Sequence, residues 1–245
     1  MDPEDALPTE GLVCVVGAGG KKTTLYTLAN RLDRAVVTAT VRIPIFDDHV
    51  ARVAVTGDPL DALAGADGDD FPLGLVPERE RDDRYLGYDT ETVAAVAEAH
   101  DGPVLVKADG ARMREFKAPS DREPQIPGSA DAVVPIASAH VVGEPLAEAR
   151  VHRPERVAAV ADIDVGDEIT AEAVGRVLAS PKGGLKDVPG DAEAVALVNK
   201  VDDADDEAAA RAVAAAAFDA DEAGRLDRVV LAALGEGRVV DVIER

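Results

Sequence analysis

Residues 11–29 read Gly-Leu-Val-Cys-Val-Val-Gly-Ala-Gly-Gly-Lys-Lys-Thr-Thr-Leu-Tyr-Thr-Leu-Ala. Leu12 to Val16 is an unbroken apolar run rich in β-branched residues, as expected of a strand buried on both faces. Gly17, Gly19 and Gly20 let the backbone turn tightly and come close to a ligand. Lys21 and Lys22 supply positive charge, Thr23 and Thr24 supply hydroxyls, and Leu25 to Arg31 reads as a helix. Strand, glycine turn, lysines and helix form a phosphate cradle. In such a cradle backbone N–H groups and the positive helix end hold phosphates, a lysine reaches the outer ones, and a hydroxyl can ligate Mg²⁺.

The stretch fits the phosphate-loop pattern G-x-x-x-x-G-K-[ST] in two registers. With Lys21 as the phosphate lysine, Gly20 precedes it correctly and Lys22 takes the hydroxyl position. With Lys22 in that role, Thr23 follows correctly and Lys21 replaces the glycine. In both registers a valine stands at the first glycine. A glycine-rich turn with solvated lysines is the plainer alternative; the position between a strand and a helix favours nucleotide binding, with Gly17, Ala18, Gly19, Gly20, Lys21, Lys22, Thr23 and Thr24 as the ligand-facing set.

The chain has 245 residues, 48 acidic against 26 basic, for a formal charge of −22. Nucleic acids and anionic membranes want basic surfaces, so neither is an expected partner. The acid is spread through Asp-rich loops, which suits a surface solvated in high salt. Hydrophobic residues are 47% of the chain and aromatics 3%, so Val, Ala and Leu must fill the core. The single cysteine, Cys14, lies in the first strand, and a reducing, cytoplasmic setting is expected. No apolar run approaches a membrane span, and the acidic N-terminus has no signal-peptide pattern.

Along the chain, apolar runs and helical periods alternate. Strands are expected at 35–37, 53–56, 73–76, 103–106, 132–136, 195–198, 228–233 and 239–243. Helices are expected near 91–100, after Pro154, from Thr170 to before Pro181, and at 205–218. Alternation of this kind gives an α/β fold, a doubly wound, mainly parallel sheet in one domain over residues 1–245. The strand at 103–106 delivers Asp109, where a phosphate-loop protein keeps its Mg²⁺-organising carboxylate. Thr38 and Thr40 end another strand and could also serve there. The segment 117–127 holds Pro119, Pro124 and Pro127, so it is a stiff shaped loop, expected over the active site. Lys182 to Lys186 reads as a flexible basic loop. The four histidines have no ligand spacing, and no nucleophile–His–carboxylate set is identifiable.

The strand at 195–198 runs into Asn199-Lys200-Val201-Asp202, an Asn-Lys-x-Asp pattern at a strand end. An ionised Asp accepts two donors from the guanine edge, and adenine offers no such pair. Three fixed letters arise by chance in on the order of a few per cent of chains this long. Asn199, Lys200 and Asp202 are therefore base-binding candidates, the alternative being a turn that opens the next helix.

With these motifs in hand, the chain resembles the YqeC-type accessory proteins of selenium-dependent molybdenum hydroxylases. The resemblance rests on Val-Gly-Ala-Gly-Gly-Lys at 16–21, Ala-Asp-Gly-Ala at 108–111, Lys-Ala-Pro at 117–119 and Glu-Pro-Gln-Ile-Pro at 123–127. His-Arg-Pro-Glu at 152–155 and Asn-Lys-Val-Asp at 199–202 continue it. One departure is Lys107, where the family carries an acidic residue before Ala-Asp-Gly. The resemblance implies a P-loop NTPase that helps prepare or insert a selenium-containing molybdenum cofactor, with a molybdenum hydroxylase or a cofactor-biosynthesis protein as partner.

The first expectation is a GTPase-type maturation factor. Lys21 or Lys22 holds phosphate, and both stand with Asp109 as catalytic candidates. Thr23, Thr24 and Asp109 organise Mg²⁺, and Asn199 with Asp202 selects GTP over ATP. A small-molecule kinase or nucleotidyltransferase is the second, with the 117–127 loop binding the acceptor. The third is a nucleotide-gated protein that delivers a cofactor and turns over slowly or not at all.

Overall fold

The structure is a computed structural model describing residues 1–245. Nine strands form one sheet: β1 (Leu12–Gly17), β2 (Val36–Ala39), β3 (Arg52–Val55), β4 (Leu73–Val76), β5 (Val104–Lys107), β6 (Ala132–Ser138), β7 (Glu193–Asn199), β8 (Arg228–Ala233) and β9 (Arg238–Glu244). Their spatial order is β9-β8-β7-β6-β1-β5-β2-β4-β3. Every pair is parallel except β8 with β9. The helices are α1 (Pro3–Ala6), α2 (Lys21–Ala29), α3 (Pro59–Ala64), α4 (Thr90–Glu98), α5 (Pro154–Ala161), α6 (Ala171–Ala179) and α7 (Ala204–Ala220). This is the expected doubly wound α/β fold.

Alternation along the strands divides the core by sheet face. Val13, Val15, Leu105, Val134 and Leu197 turn to the side covered by Leu25 and Leu28 of α2. Leu12, Cys14, Val16, Val104 and Val106 turn the other way, against Val93 and Val96 of α4. Ala196, Val198 and Leu231 share that second face, under α5, α6 and α7. Small side chains let these helices approach closely: a Cβ on Gly175 would lie 2.6 Å from the backbone nitrogen of Ala217. An Ala-rich core with few aromatics is thus compatible with dense packing.

The chain leaves β1 for β2 on one side of the sheet and, after β5, crosses to β6 on the other. Strand order therefore reverses around β1, and ligands of such sheets bind outside the carboxyl ends at that point. The ends of β1, β5, β6 and β7 carry, in turn, the glycine loop, Lys107 to Asp109, Ser138 and Asn199. Besides the short helices α1 and α3 and the pairing of 116–117 with 151–152, none of them expected, three elements differ from expectation. Helix α2 begins at Lys21, four residues earlier than predicted, because Gly20 caps it with φ 140°. Residues 79–81 and 84–85 form a hairpin joined by Ile43–Pro44. The 182–186 segment is a hydrogen-bonded turn, with Gly184 N–H donating to Val177 O at 2.7 Å and Lys186 Nζ to Glu123 O at 2.9 Å.

Candidate functional site

The glycine loop is pinned on three sides. Gly17 N–H donates to Asp109 Oδ2 at 2.9 Å. Ala18 N–H reaches Ile136 O at 2.9 Å, and Gly19 N–H reaches Arg114 O at 3.1 Å. On Gly20 a Cβ would sit 2.1 Å from Asn199 Nδ2, so only glycine fits there. That Asn199 amide donates to Gly19 O at 2.9 Å, and its Oδ1 accepts from Leu234 N–H at 3.1 Å. Thr24 N–H is the first to meet a helical carbonyl, that of Gly20 at 2.9 Å. The N–H groups of Lys21 to Thr23 have none, and they form the positive end of α2.

Behind the loop lies a buried charge network. Lys21 Nζ contacts Gly17 O and stands 2.8 Å from Asp109 Oδ1. Lys117 Nζ stands 2.8 Å from Asp109 Oδ2 and 3.1 Å from Glu123 Oε2. Arg153 Nη1 meets the same Glu123 oxygen at 2.6 Å. Pairing of Phe116–Lys117 with Val151–His152 brings Arg153 to this place. Burial pushes the Asp109 carboxyl up, but the ammonium groups of Lys21 and Lys117 outweigh it and hold it below the ordinary range. Burial lowers the Lys21 ammonium, against the opposing charge of Asp109. The same cause brings Lys107 down to about 7; its Nζ donates to Arg42 O at 2.8 Å and Asp109 O at 2.7 Å.

In front of the loop opens a cleft of about 360 Å³. Eight basic residues line it against one carboxylate, Glu115. The loop and α2 contribute Lys21 and Lys22, and the floor contributes Lys107. Arg112 and Arg114 come from the segment after Asp109, Arg84 from the small hairpin sheet, Arg42 from the residue before its Ile43–Pro44 strand, and Lys200 from just past the end of β7. In a chain with 48 acidic and 26 basic residues this local reversal of charge is the site's main electrostatic feature. It focuses positive potential where the helix end and the free N–H groups also point.

The sequence-predicted residues divide between lining and support. Gly17 lies behind Ala18, Gly19, Gly20, Lys21, Lys22 and Thr23, which line the cleft. Lys21 is buried at the root of the loop, whereas Lys22 sits at the rim, 3.9 Å from Met113 Sδ. Thr24 faces away: it is fully buried and its hydroxyl donates back to Gly20 O at 3.2 Å, a bond open to a Thr in the second helical turn. Thr38 and Thr40 are likewise committed, to Leu75 O and Gln125 O. The proline loop does not cover the cleft. It packs behind Asp109, tied through Glu123 and by Asp121 to Arg156 at 3.0 Å. Asn199 is a strut, Lys200 lines the cleft and pairs with Glu115 at 2.7 Å, and Asp202 lies outside it, 3.1 Å from His140 Nε2.

A Mg²⁺ ion held by the protein fits these residues only in part. Both oxygens of Asp109 are engaged by lysines and by Gly17 N–H, and the Thr24 hydroxyl is turned inward. Thr23 keeps the one uncommitted hydroxyl at the helix end. The donor set suits an ion carried in by phosphates and touched by Thr23. Arg42, Arg84, Arg112, Arg114 and Glu115 were not legible as site residues, since isolated charges in loops carry no periodic signal.

A family model described as "YqeC protein" matches residues 13–155. A relative from Escherichia coli (strain K12), described as "Uncharacterized protein YqeC", is 25% identical over 194 residues, covering 77% of this chain and 75% of its own length. The chain belongs to the YqeC family. The matched span contains the glycine loop, Asp109, the proline loop and Arg153. No helix is long and apolar enough to cross a membrane.

Proposed function

We propose that this YqeC-family protein binds a nucleoside triphosphate, GTP by preference, with its phosphates against the amino end of α2. The observation that carries this reading is a glycine-capped helix end with free N–H groups and Lys21 and Lys22 beside it, opening into a basic cleft in a chain of charge −22. Lys21 is the phosphate lysine: it stands at the root of the loop with its Nζ beside Gly17 O and Asp109, and exchanges Asp109 for phosphate oxygen when ligand enters. Lys22, Lys200 and the N–H groups of Lys21 to Thr23 complete the cradle. Mg²⁺ would neutralise phosphate charge there, with Thr23 as its protein contact. Asp109 and Lys117 hold Lys21 extended and the loop rigid.

For the base, Asn199 ties the 199–202 turn to the phosphate loop, and Lys200 offers its stem as a platform. Asp202 is half exposed and would exchange His140 for the guanine edge. An acceptor so exposed discriminates less than a buried one, by about 1 kcal/mol or roughly fivefold. In the cell the protein would act as a nucleoside triphosphatase or nucleotide-gated accessory factor in maturation of a selenium-dependent molybdenum hydroxylase. A small-molecule kinase or nucleotidyltransferase is the second reading, favoured by Arg112 and Arg114, which line the cleft beside the phosphate loop. Titrations of GTP and ATP at matched KCl and Mg²⁺ test the base. GTP should bind several-fold tighter, and Asp202→Asn should move preference toward xanthosine triphosphate. Equal affinities in the parent remove the guanine assignment and leave the phosphate site standing.

A further inference from the structure

We propose that the cleft holds a second anionic group beside the triphosphate, a phosphate carried by a second ligand and gripped by Arg112 and Arg114. The inference rests on the reading that nucleotide phosphates occupy the end of α2, and it names the class of molecule that shares the site.

Of the eight cations of the cleft, Lys21 pairs with Asp109, Lys107 donates to two backbone carbonyls, and Lys22 stands at the nucleotide's phosphates. Arg42, Arg84 and Lys200 are already paired, with Glu80, Asp83 and Glu115. Arg112 and Arg114 line the cleft, are exposed, and enter no ion pair. In a protein with nearly two carboxylates per cation, two unpaired arginines from one turn lining a cavity mark a place kept for an external anion.

Charge balance gives the ligand class. A nucleoside triphosphate carries about four negative charges, or roughly two once Mg²⁺ is bound. On nucleotide binding Lys21 turns from Asp109, which Lys117 still answers, and Lys21, Lys22 and the helix end suffice for the Mg²⁺-bound triphosphate. Arg112 and Arg114 remain as two unanswered charges. A phosphomonoester supplies about −1.5 to −2 at neutral pH, and the planar guanidinium fork suits its oxygens.

The backbone holds these arginines against the nucleotide site. Arg112 and Met113 both adopt left-handed φ values, 47° and 62°, which costs non-glycine residues on the order of 1 kcal/mol or more each. The turn is fixed by Arg114 N–H donating to Ala111 O at 2.9 Å and by Arg114 O accepting from Gly19 N–H at 3.1 Å. The arginine turn and the phosphate loop thus share a hydrogen bond, and a group held on one is presented to a group held on the other.

The test uses the full chain saturated with a non-hydrolysable GTP analogue and Mg²⁺, into which inorganic phosphate is titrated calorimetrically at fixed KCl. One phosphate per chain should bind in addition to the analogue. In the Arg112→Gln/Arg114→Gln variant, phosphate affinity should fall at least about tenfold, with analogue affinity within about twofold of the parent and an unchanged melting temperature. No phosphate uptake by the loaded parent, undiminished uptake by the variant, or a parallel loss of analogue affinity overturns the proposal. Should the analogue itself not bind the parent, the nucleotide reading fails on its own. Phosphate titrated alone then decides the matter: binding lost in the arginine variant but kept in Lys21→Ala upholds the second site, and the reverse pattern overturns it.

Discussion

Replacing Asp109 by Asn tests the buried charge network with little change of shape. In the parent, each Asp109 oxygen lies 2.8 Å from a lysine nitrogen, and the Lys21 and Lys117 side chains are 5% and 0% exposed. Lys117 keeps Glu123 at 3.1 Å when Asp109 is neutralised, but Lys21 loses its only carboxylate. Breaking a buried pair at one partner costs about 3–5 kcal/mol. For a chain this size that lowers Tm by roughly 6–20 °C. The sign with pH follows from both groups. The folded carboxyl of Asp109 is lowered, so its contribution is fully present above the unfolded value near 4, throughout pH 6–8. In Asp109→Asn, burial lowers the Lys21 ammonium without the opposing carboxylate, while the unfolded chain keeps that proton to about pH 10. The unfolded state then binds more protons, so the variant gains stability as pH rises and the gap to the parent narrows from pH 6 to 9. Thermal melts of the ligand-free proteins across this range are the assay. A variant within about 2 °C of the parent, or a gap that widens with pH, would refute the reasoning.

Screening should matter to the whole surface: with 48 acidic residues, Tm should rise with KCl as the Debye length falls from about 10 Å at 0.1 M to 3 Å at 1 M, and a flat or falling series counts against surface repulsion. Asn199→Ala strands Gly19 O and Leu234 N–H, so urea unfolding should show a loss of about 2–4 kcal/mol; a base-contact residue without the strut role would leave stability unchanged. Lys107, held near pH 7 by burial, carries its full charge-burial penalty below that pH and sheds it toward pH 10. The parent should therefore gain stability over that interval, and Lys107→Met should lose the dependence.

Much of the architecture was legible because it is written locally. Leu12 to Val16 and Val195 to Val198 are apolar on both faces, as an interior parallel strand requires, and Thr170 caps one helix while Pro154 is the first residue of another. The start of helix α2 is not legible because Lys-Lys-Thr-Thr resembles a loop and its cap is a positive-φ glycine. The hairpin at 79–85 is not legible because Arg79–Arg81 is a short, largely exposed strand with no apolar alternation. At the site, its place after a strand marks Asp109, but no local pattern marks its lysine partners. Lys117 lies 8 residues away and reaches Asp109 only because residues 116–117 pair with 151–152. The proline loop was identified as stiff, yet its direction depends on Glu123 meeting Arg153, 30 residues on, which no local pattern encodes.

The claim that the basic cleft is a nucleotide site is met most directly by one calorimetric comparison. A non-hydrolysable GTP analogue with Mg²⁺ is titrated into the parent and into Lys21→Ala at a single KCl concentration, with circular dichroism confirming that both are folded. The account predicts one analogue per parent chain and at least about tenfold weaker binding to the variant. No binding to the parent, or equal binding to both, would contradict it.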